Sequence, residues 1–132
     1  MHVPYGFGVV TPYILVDGTD RYVRFLETGF GAREIGRSTD PDGRVANCQV
    51  RFDDMTIMVS EASAQFPASA AAFCLYVADV AAAMTTAVAA GAKTIMDVAD
   101  VPYGDRQGGV RDPAGNIWWV SQRMTPEPYY PG

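Results

Sequence analysis

A fixed internal offset constrains this chain more than any other feature of its sequence. Val16 and Val77 both close an apolar run, 61 residues apart. Gly31-Ala32-Arg33 and Gly91-Ala92-Lys93 both follow a helical stretch, 60 apart. Val50-Arg51 and Val110-Arg111 lead into a turn at the same spacing, and Ile57-Met58-Val59 matches Trp118-Trp119-Val120 at 61. One offset recurring across four elements indicates a duplicated supersecondary unit, since each half alone cannot bury both faces of its sheet. With 132 residues, the two halves fit a single domain of 1–132 that needs no disulfide or metal to build a core.

Local signals give each half the same order. Val9–Val16 reads as a strand, with Pro12 placing it at an edge or a bulge. Thr19 is a plausible helix cap. Tyr22, Val23, Phe25 and Leu26 then fall at helical spacing, and Gly29 and Gly31 end the helix. Strands follow at 33–39, 45–52 and 55–60, separated by Asp40-Pro41-Asp42-Gly43 and by Asp53-Asp54. Residues 61–70 read as a linker. The second half repeats the order: a strand at 71–77, Asp79 capping an Ala-rich helix that ends at Gly91, and a strand at 93–98. A polar loop at 100–109 and a short strand near Val110 come next. The turn Asp112-Pro113-Ala114-Gly115-Asn116, with Gly115 supplying positive φ and Asn116 tolerating the left-handed region, feeds a last strand to about Gln122. Residues 123–132, rich in Pro and Tyr, form a tail or an arm laid on a partner. The expected class is α+β, two tandem βαβββ modules at about 9–60 and 71–122.

Strand parity sorts the side chains into two faces. Ile14, Val16, Ile57, Val59, Phe73, Leu75, Val77, Trp118 and Val120 form a wholly apolar set that should lie under the helices. The opposite set is mixed: Thr11, Tyr13 and Leu15; Thr56, Met58 and Ser60; Ala72, Cys74 and Tyr76; Ile117, Trp119 and Ser121. Such a face suits a ligand cleft or a protein interface, and parity does not separate the two.

Composition excludes several functions. A net charge of −5 offers no basic face to a nucleic acid. No apolar run reaches the roughly 20 residues of a membrane span, and no basic segment followed by an apolar stretch marks a signal peptide, so a cytoplasmic protein is expected. Cys48 and Cys74 fall in strands and read as buried reduced thiols rather than a disulfide. The one histidine, His2, lies outside both modules, so His-based and nucleophilic catalysis lack a base. Asp105-Arg106 and Arg111-Asp112 are charge pairs near the expected rim, read as loop salt bridges rather than an anion clamp.

Thr11–Val16, Phe25-Leu26 with Phe30-Gly31-Ala32, Pro41–Val45, Tyr103-Gly104-Asp105-Arg106 and Asp112–Trp118, in this order, resemble the vicinal oxygen chelate superfamily. This is the glyoxalase, bleomycin-resistance and extradiol-dioxygenase group, and the likeness is to its PhnB-like branch. The resemblance implies paired modules forming a cupped mixed sheet, a homodimer, and a divalent metal held by one residue from each first and last strand. Carried onto this chain, those metal positions fall on Thr11, Met58, Ala72 and Trp119. A hydroxyl, a thioether, a methyl and an indole are poor ligands for a hard or borderline cation. No metal and no cofactor is therefore expected, and no catalytic residue is assigned.

The expected function is binding of an unidentified small molecule, planar or aromatic, on Thr11, Tyr13, Thr56, Met58, Ser60, Ala72, Cys74, Tyr76, Trp119 and Ser121. Trp119 would stack on it; alternatively the indole only fills the space of the lost metal cage. The hydroxyls could orient a ligand or be satisfied within the sheet. Two rivals stay open: a metal-free enzyme with a carboxylate or a phenol, such as Tyr13 or Tyr76, as acid or base, and a structural dimer with a closed cleft.

Overall fold

The computed structural model describes residues 2–131. They form two compact units, dividing between Ser69 and Ala70. In the first, β1 (Tyr13–Val16), α1 (Thr19–Phe30), β2 (Arg33–Thr39), β3 (Val45–Phe52) and β4 (Met55–Glu61) build a sheet of order β1-β4-β3-β2. In the second, β5 (Ala72–Tyr76), α2 (Val80–Ala89), β6 (Lys93–Asp100), β7 (Asp105–Arg111) and β8 (Ile117–Arg123) build the matching sheet β5-β8-β7-β6. Each first strand pairs parallel with the last strand of its module, and the other pairings are antiparallel. The two βαβββ units expected from the offset are present. Even an irregularity repeats: the β2–β3 register shifts between Glu34 and Gly36, the β6–β7 register between Thr94 and Met96.

Pro12 lies just before β1, an edge strand, and its carbonyl accepts from Met58 N at 2.9 Å. The strand is shorter than expected because Val9 and Val10, both strongly exposed, have no ladder partner in it. Helix α1 buries Tyr22, Val23, Phe25 and Leu26. Each such burial contributes roughly 1.5–3 kcal/mol. Two expectations about its ends change. Gly29 is inside the helix, which runs to Phe30 and stops at Gly31 in the left-handed conformation; Gly31 N donates to Glu27 O and Ala32 N to Leu26 O. Thr19 is not a side-chain cap, because the N-cap is left-handed Gly18 and makes no side-chain cap bond. The Glu61 carboxylate takes that role from the end of β4. It accepts from Gly18 N (3.0 Å), Thr19 N (2.9 Å) and Thr19 Oγ1 (3.0 Å).

In α2, Asp79 caps as expected, accepting from Ala82 N at 3.1 Å. Val80, Met84 and Ala87 form its buried stripe. Gln122 Oε1 accepts from Val80 N at 3.0 Å, so Gln122 does for α2 what Glu61, at the corresponding position, does for α1. The expected loop at 100–109 is the main correction. β6 extends to Asp100, β7 starts at Asp105, and only a four-residue turn separates them. Gly108 and Gly109 suggested a loop but serve packing: a Cβ on Gly108 would lie 2.8 Å from Met84 Cε, and one on Gly109 2.5 Å from the Trp119 ring. Glycine is used there because a helix and an indole rest on bare backbone.

The Asp112–Asn116 turn behaves as read at Gly115, with φ of 90° and its N–H donating to Asp112 O at 2.9 Å. Asn116 does not enter the left-handed region. It is buried, and its Oδ1 accepts from Ala71 N at 2.8 Å, tying the turn to the entrance of β5. The two indoles part as parity requires. Trp118 is buried and stacks on Phe73 at 4.4 Å, while Trp119 is half-buried on the other face.

Both thiols are free, yet only Cys48 is buried, whereas Cys74 is exposed on edge strand β5. Burial, reinforced by the Glu34 carboxylate, pushes the Cys48 thiol up to about 11. A thiol-alkylating reagent at neutral pH is expected to modify one cysteine per native chain, at Cys74, and both only on unfolding. Peptide mapping of the labelled protein checks this.

Candidate functional site

Of the apolar parity set, Ile14, Val16, Ile57, Val59, Trp118 and Val120 are buried, whereas Phe73, Leu75 and Val77 of the second module are only half-buried. The mixed set occupies the other face of each sheet. In the first module Tyr13 stands opposite Met58 in the β1–β4 register. Thr11 lies before β1 and donates to Gly8 O at 2.9 Å. Thr56 is buried and accepts from Arg51 Nε at 3.0 Å. Ser60 is buried, donates to Ala46 O at 2.7 Å, and is hydrogen-bonded to the half-exposed Tyr13 hydroxyl at 2.7 Å. These hydroxyls are thus engaged within their own module.

In the second module Cys74 pairs with Trp119 and Tyr76 with Ser121 across the β5–β8 ladder, while Ala72 is exposed at the start of β5. The Trp119 ring lies on Gly109, which fixes its seat. Ser121 is fully buried, accepts from Gln107 Nε2 at 2.6 Å, and sits 3.9 Å from Cys74 Sγ. Here the face opens into a recess of about 350 Å³ lined by Cys74, Tyr76, Tyr103, Asp105, Gln107, Tyr129 and Tyr130. That volume lies within the range of small-molecule sites.

The recess is organised by Asp105, whose side chain is 1% exposed. Asp105 does not pair with its neighbour Arg106, which points to the opposite face of the sheet and binds Asp100 at 2.8 Å. Its Oδ1 accepts from Arg123 Nη1 at 2.8 Å and its Oδ2 from the Tyr129 hydroxyl at 2.6 Å. Burial alone would raise the Asp105 pKa, but these two donors outweigh it and hold the carboxyl below the usual carboxylate range. The Tyr129 proton is committed to Asp105, so Tyr76, 2.7 Å away, donates to Tyr129. Asp105, then Tyr76, with burial added, hold the Tyr129 phenol far above its ordinary value of 10, which makes it a donor and no base at neutral pH. The Arg123 guanidinium lies 4.0 Å over the Tyr129 ring, and the Tyr103 hydroxyl donates to Gln107 Oε1 at 2.8 Å.

The tail is therefore folded on its own module through Tyr129, an intramolecular alternative to the arm on a partner. Of the expected site residues, the recess gathers Cys74 and Tyr76 at its wall, with Ser121 bonded to the wall residue Gln107. Gln107 and Tyr129 are not singled out from sequence, while Asp105 is read there only as a loop partner of Arg106 and, with Tyr103, as part of the family resemblance. Gln107 had a readable signal in sharing parity with Ser121 on the adjacent strand, but the supposed loop concealed it.

The four positions that the family resemblance assigns to metal ligands hold the Thr11 hydroxyl, the Met58 thioether, the Ala72 methyl and the Trp119 indole. This donor set does not fit a divalent cation. Among the described residues no group of three or more His, Cys, Asp or Glu side chains could hold one. No helix among them is long and apolar enough to cross a membrane.

The duplicated βαβββ fold defines a class, and comparison with known proteins agrees. Residues 7–120 match the Glyoxalase/Bleomycin resistance protein/Dioxygenase superfamily, and the chain belongs to that superfamily. An uncharacterized protein of Mycobacterium tuberculosis (strain H37Rv) is 31% identical over 124 residues, covering 86% of this chain and 73% of that protein. Among solved structures, TnmS3, an antibiotic binding protein from Streptomyces sp. CB03234, shares the fold with a TM-score of 0.70 and 20% identity, over 93% of this chain and 98% of its own. A PhnB protein from Bacillus cereus does so with a TM-score of 0.64 and 13% identity, over 87% and 99%.

Proposed function

We propose that the chain is a metal-independent binding protein of this superfamily that sequesters a planar or aromatic small molecule on the open face of its second module. The observation that carries the reading is the Trp119 indole, seated on the Gly109 backbone and level with Cys74 on the strand that leads to the recess. An aromatic plate held at a fixed height offers stacking at little entropic cost. The donor set at the four metal positions supports metal independence, and the fold shared with an antibiotic binding protein is one that can serve small-molecule binding. The homodimer implied by the family resemblance, with both modules acting as one domain, belongs to the same reading. So does a reducing, cytoplasmic setting, which suits the exposed free thiol of Cys74.

Titrating the purified protein with planar heteroaromatic compounds is expected to quench tryptophan emission. Trp119→Phe should remove most of the quenching, and Trp119→Ala should weaken affinity about tenfold by direct calorimetry. A chelator should leave both unchanged. Affinity lost on chelation and restored by a divalent ion would refute metal independence, and quenching retained in Trp119→Phe would refute the assigned plate.

A further inference from the structure

Tyr129 sits in the recess as a bound molecule would. It comes from a segment carrying Pro126, Pro128 and Pro131, without regular secondary structure. Its hydroxyl donates to buried Asp105 and accepts from Tyr76. Its ring has the Arg123 guanidinium over one face and meets the Tyr103 ring at 6.1 Å with an interplanar angle of 64°. Every element needed to recognise an aryl hydroxyl is present: an anionic acceptor, a phenolic donor, a cation over the ring and an aromatic edge. Arg123 and Asp105 belong to the sheet itself, in register with one another on β7 and β8. Only the ring they hold belongs to the tail.

We propose, resting on the small-molecule reading above, that this recess takes a hydroxyaryl ligand, and that Tyr129 is an internal stand-in which the ligand displaces. The ligand's hydroxyl donates to Asp105 Oδ2 and accepts from Tyr76, while its ring takes the place under Arg123. An aryl ether lacks the proton that Asp105 requires and leaves the buried carboxylate short of a donor. An aryl carboxylate meets Asp105 with like charge. Tyr129 raises the apparent dissociation constant in inverse proportion to the fraction of time it leaves the recess open.

The probes are 2-naphthol and 2-methoxynaphthalene, measured by calorimetry on the full chain. In Tyr129→Ala, 2-naphthol is expected to bind about tenfold more tightly than in the unmodified chain, and more tightly than the ether, which gains from the same vacated seat but leaves Asp105 short of a donor. Tyr129→Phe, which keeps the ring and loses the hydroxyl, should fall between the two. Asp105→Asn added to Tyr129→Ala should erase most of the preference for the naphthol over the ether. Near-ultraviolet circular dichroism of the variants verifies that the tertiary packing is kept. Equal binding of the two probes by Tyr129→Ala, or 2-naphthol affinity unmoved by Tyr129→Ala, would overturn the proposal, as would no binding of either probe. These failures are separable from that of the general reading. If planar compounds still quench Trp119, only the hydroxyaryl assignment falls; if nothing quenches, both fall.

Discussion

Asp112→Ala is expected to destabilise the protein by about 4 kcal/mol, from the loss of hydrogen bonds to a buried carboxylate and the donors it strands. Asp112 is 4% exposed, and both of its oxygens are used. Oδ1 accepts from Ala114 N and Asn116 N, each at 2.9 Å, which shapes the turn between β7 and β8. Oδ2 accepts from Trp118 Nε1 at 2.8 Å, which fixes an indole only 3% exposed against Phe73. Alanine removes the acceptor from all three donors, and two of these lie too deep for water to replace it cheaply. Asp112→Asn keeps one oxygen for the turn but turns an amide toward the indole N–H or gives up the turn. About half the loss should remain. Urea unfolding measures the energies, and Trp118 emission should shift to the red in Asp112→Ala before global unfolding. A loss below about 1 kcal/mol would mean that the turn holds without its side chain.

Glu61→Ala carries the second large effect, about 2 kcal/mol, because it bares the first N–H groups of α1 and removes a negative charge from the positive end of the helix. Burial opposes ionisation of Glu61, yet its bonds from Thr19 and Gly18, with Arg44 nearby, bring its pKa below the ordinary 4.5. The folded chain therefore gives up this proton at lower pH than the unfolded chain. The stabilisation is complete above about pH 4.5 and drains away as pH falls through the depressed folded value. The stability gap between the natural chain and Glu61→Ala should accordingly narrow in acid. Glu61→Gln should cost less than Glu61→Ala and show no such acid dependence of its own, since neutral Gln122 already serves α2 in this way. Chemical denaturation at pH 7 and pH 4 tests the pair, and a gap that is constant with pH would show that the carboxylate's charge is not what caps the helix.

Much of the fold was legible because its signals are local. The Asp-Pro-Ala-Gly turn, the Asp79 cap and the alternation of Ile57-Met58-Val59 are each decided within a few residues, and the repeated offset links them. β7 was misread for a related reason. Gly108 and Gly109 are loop-forming in isolation, and their service as landing surfaces for Met84 and Trp119 appears only when helix and sheet meet. Thr19 looked like a cap because the residue that caps α1 lies 42 positions away.

The site divides along the same line. Sequence by itself determined the duplicated architecture and the split of the two indoles to opposite faces, since each follows from period or parity. Tertiary structure alone decided that the buried carboxylate of the recess is Asp105, that Arg123 rather than Arg106 pairs with it, and that Tyr129 folds back onto both. These are partnerships across 18 and 24 residues. No local propensity encodes them, because what selects a partner for a buried charge is which donor the packed chain brings within hydrogen-bond reach.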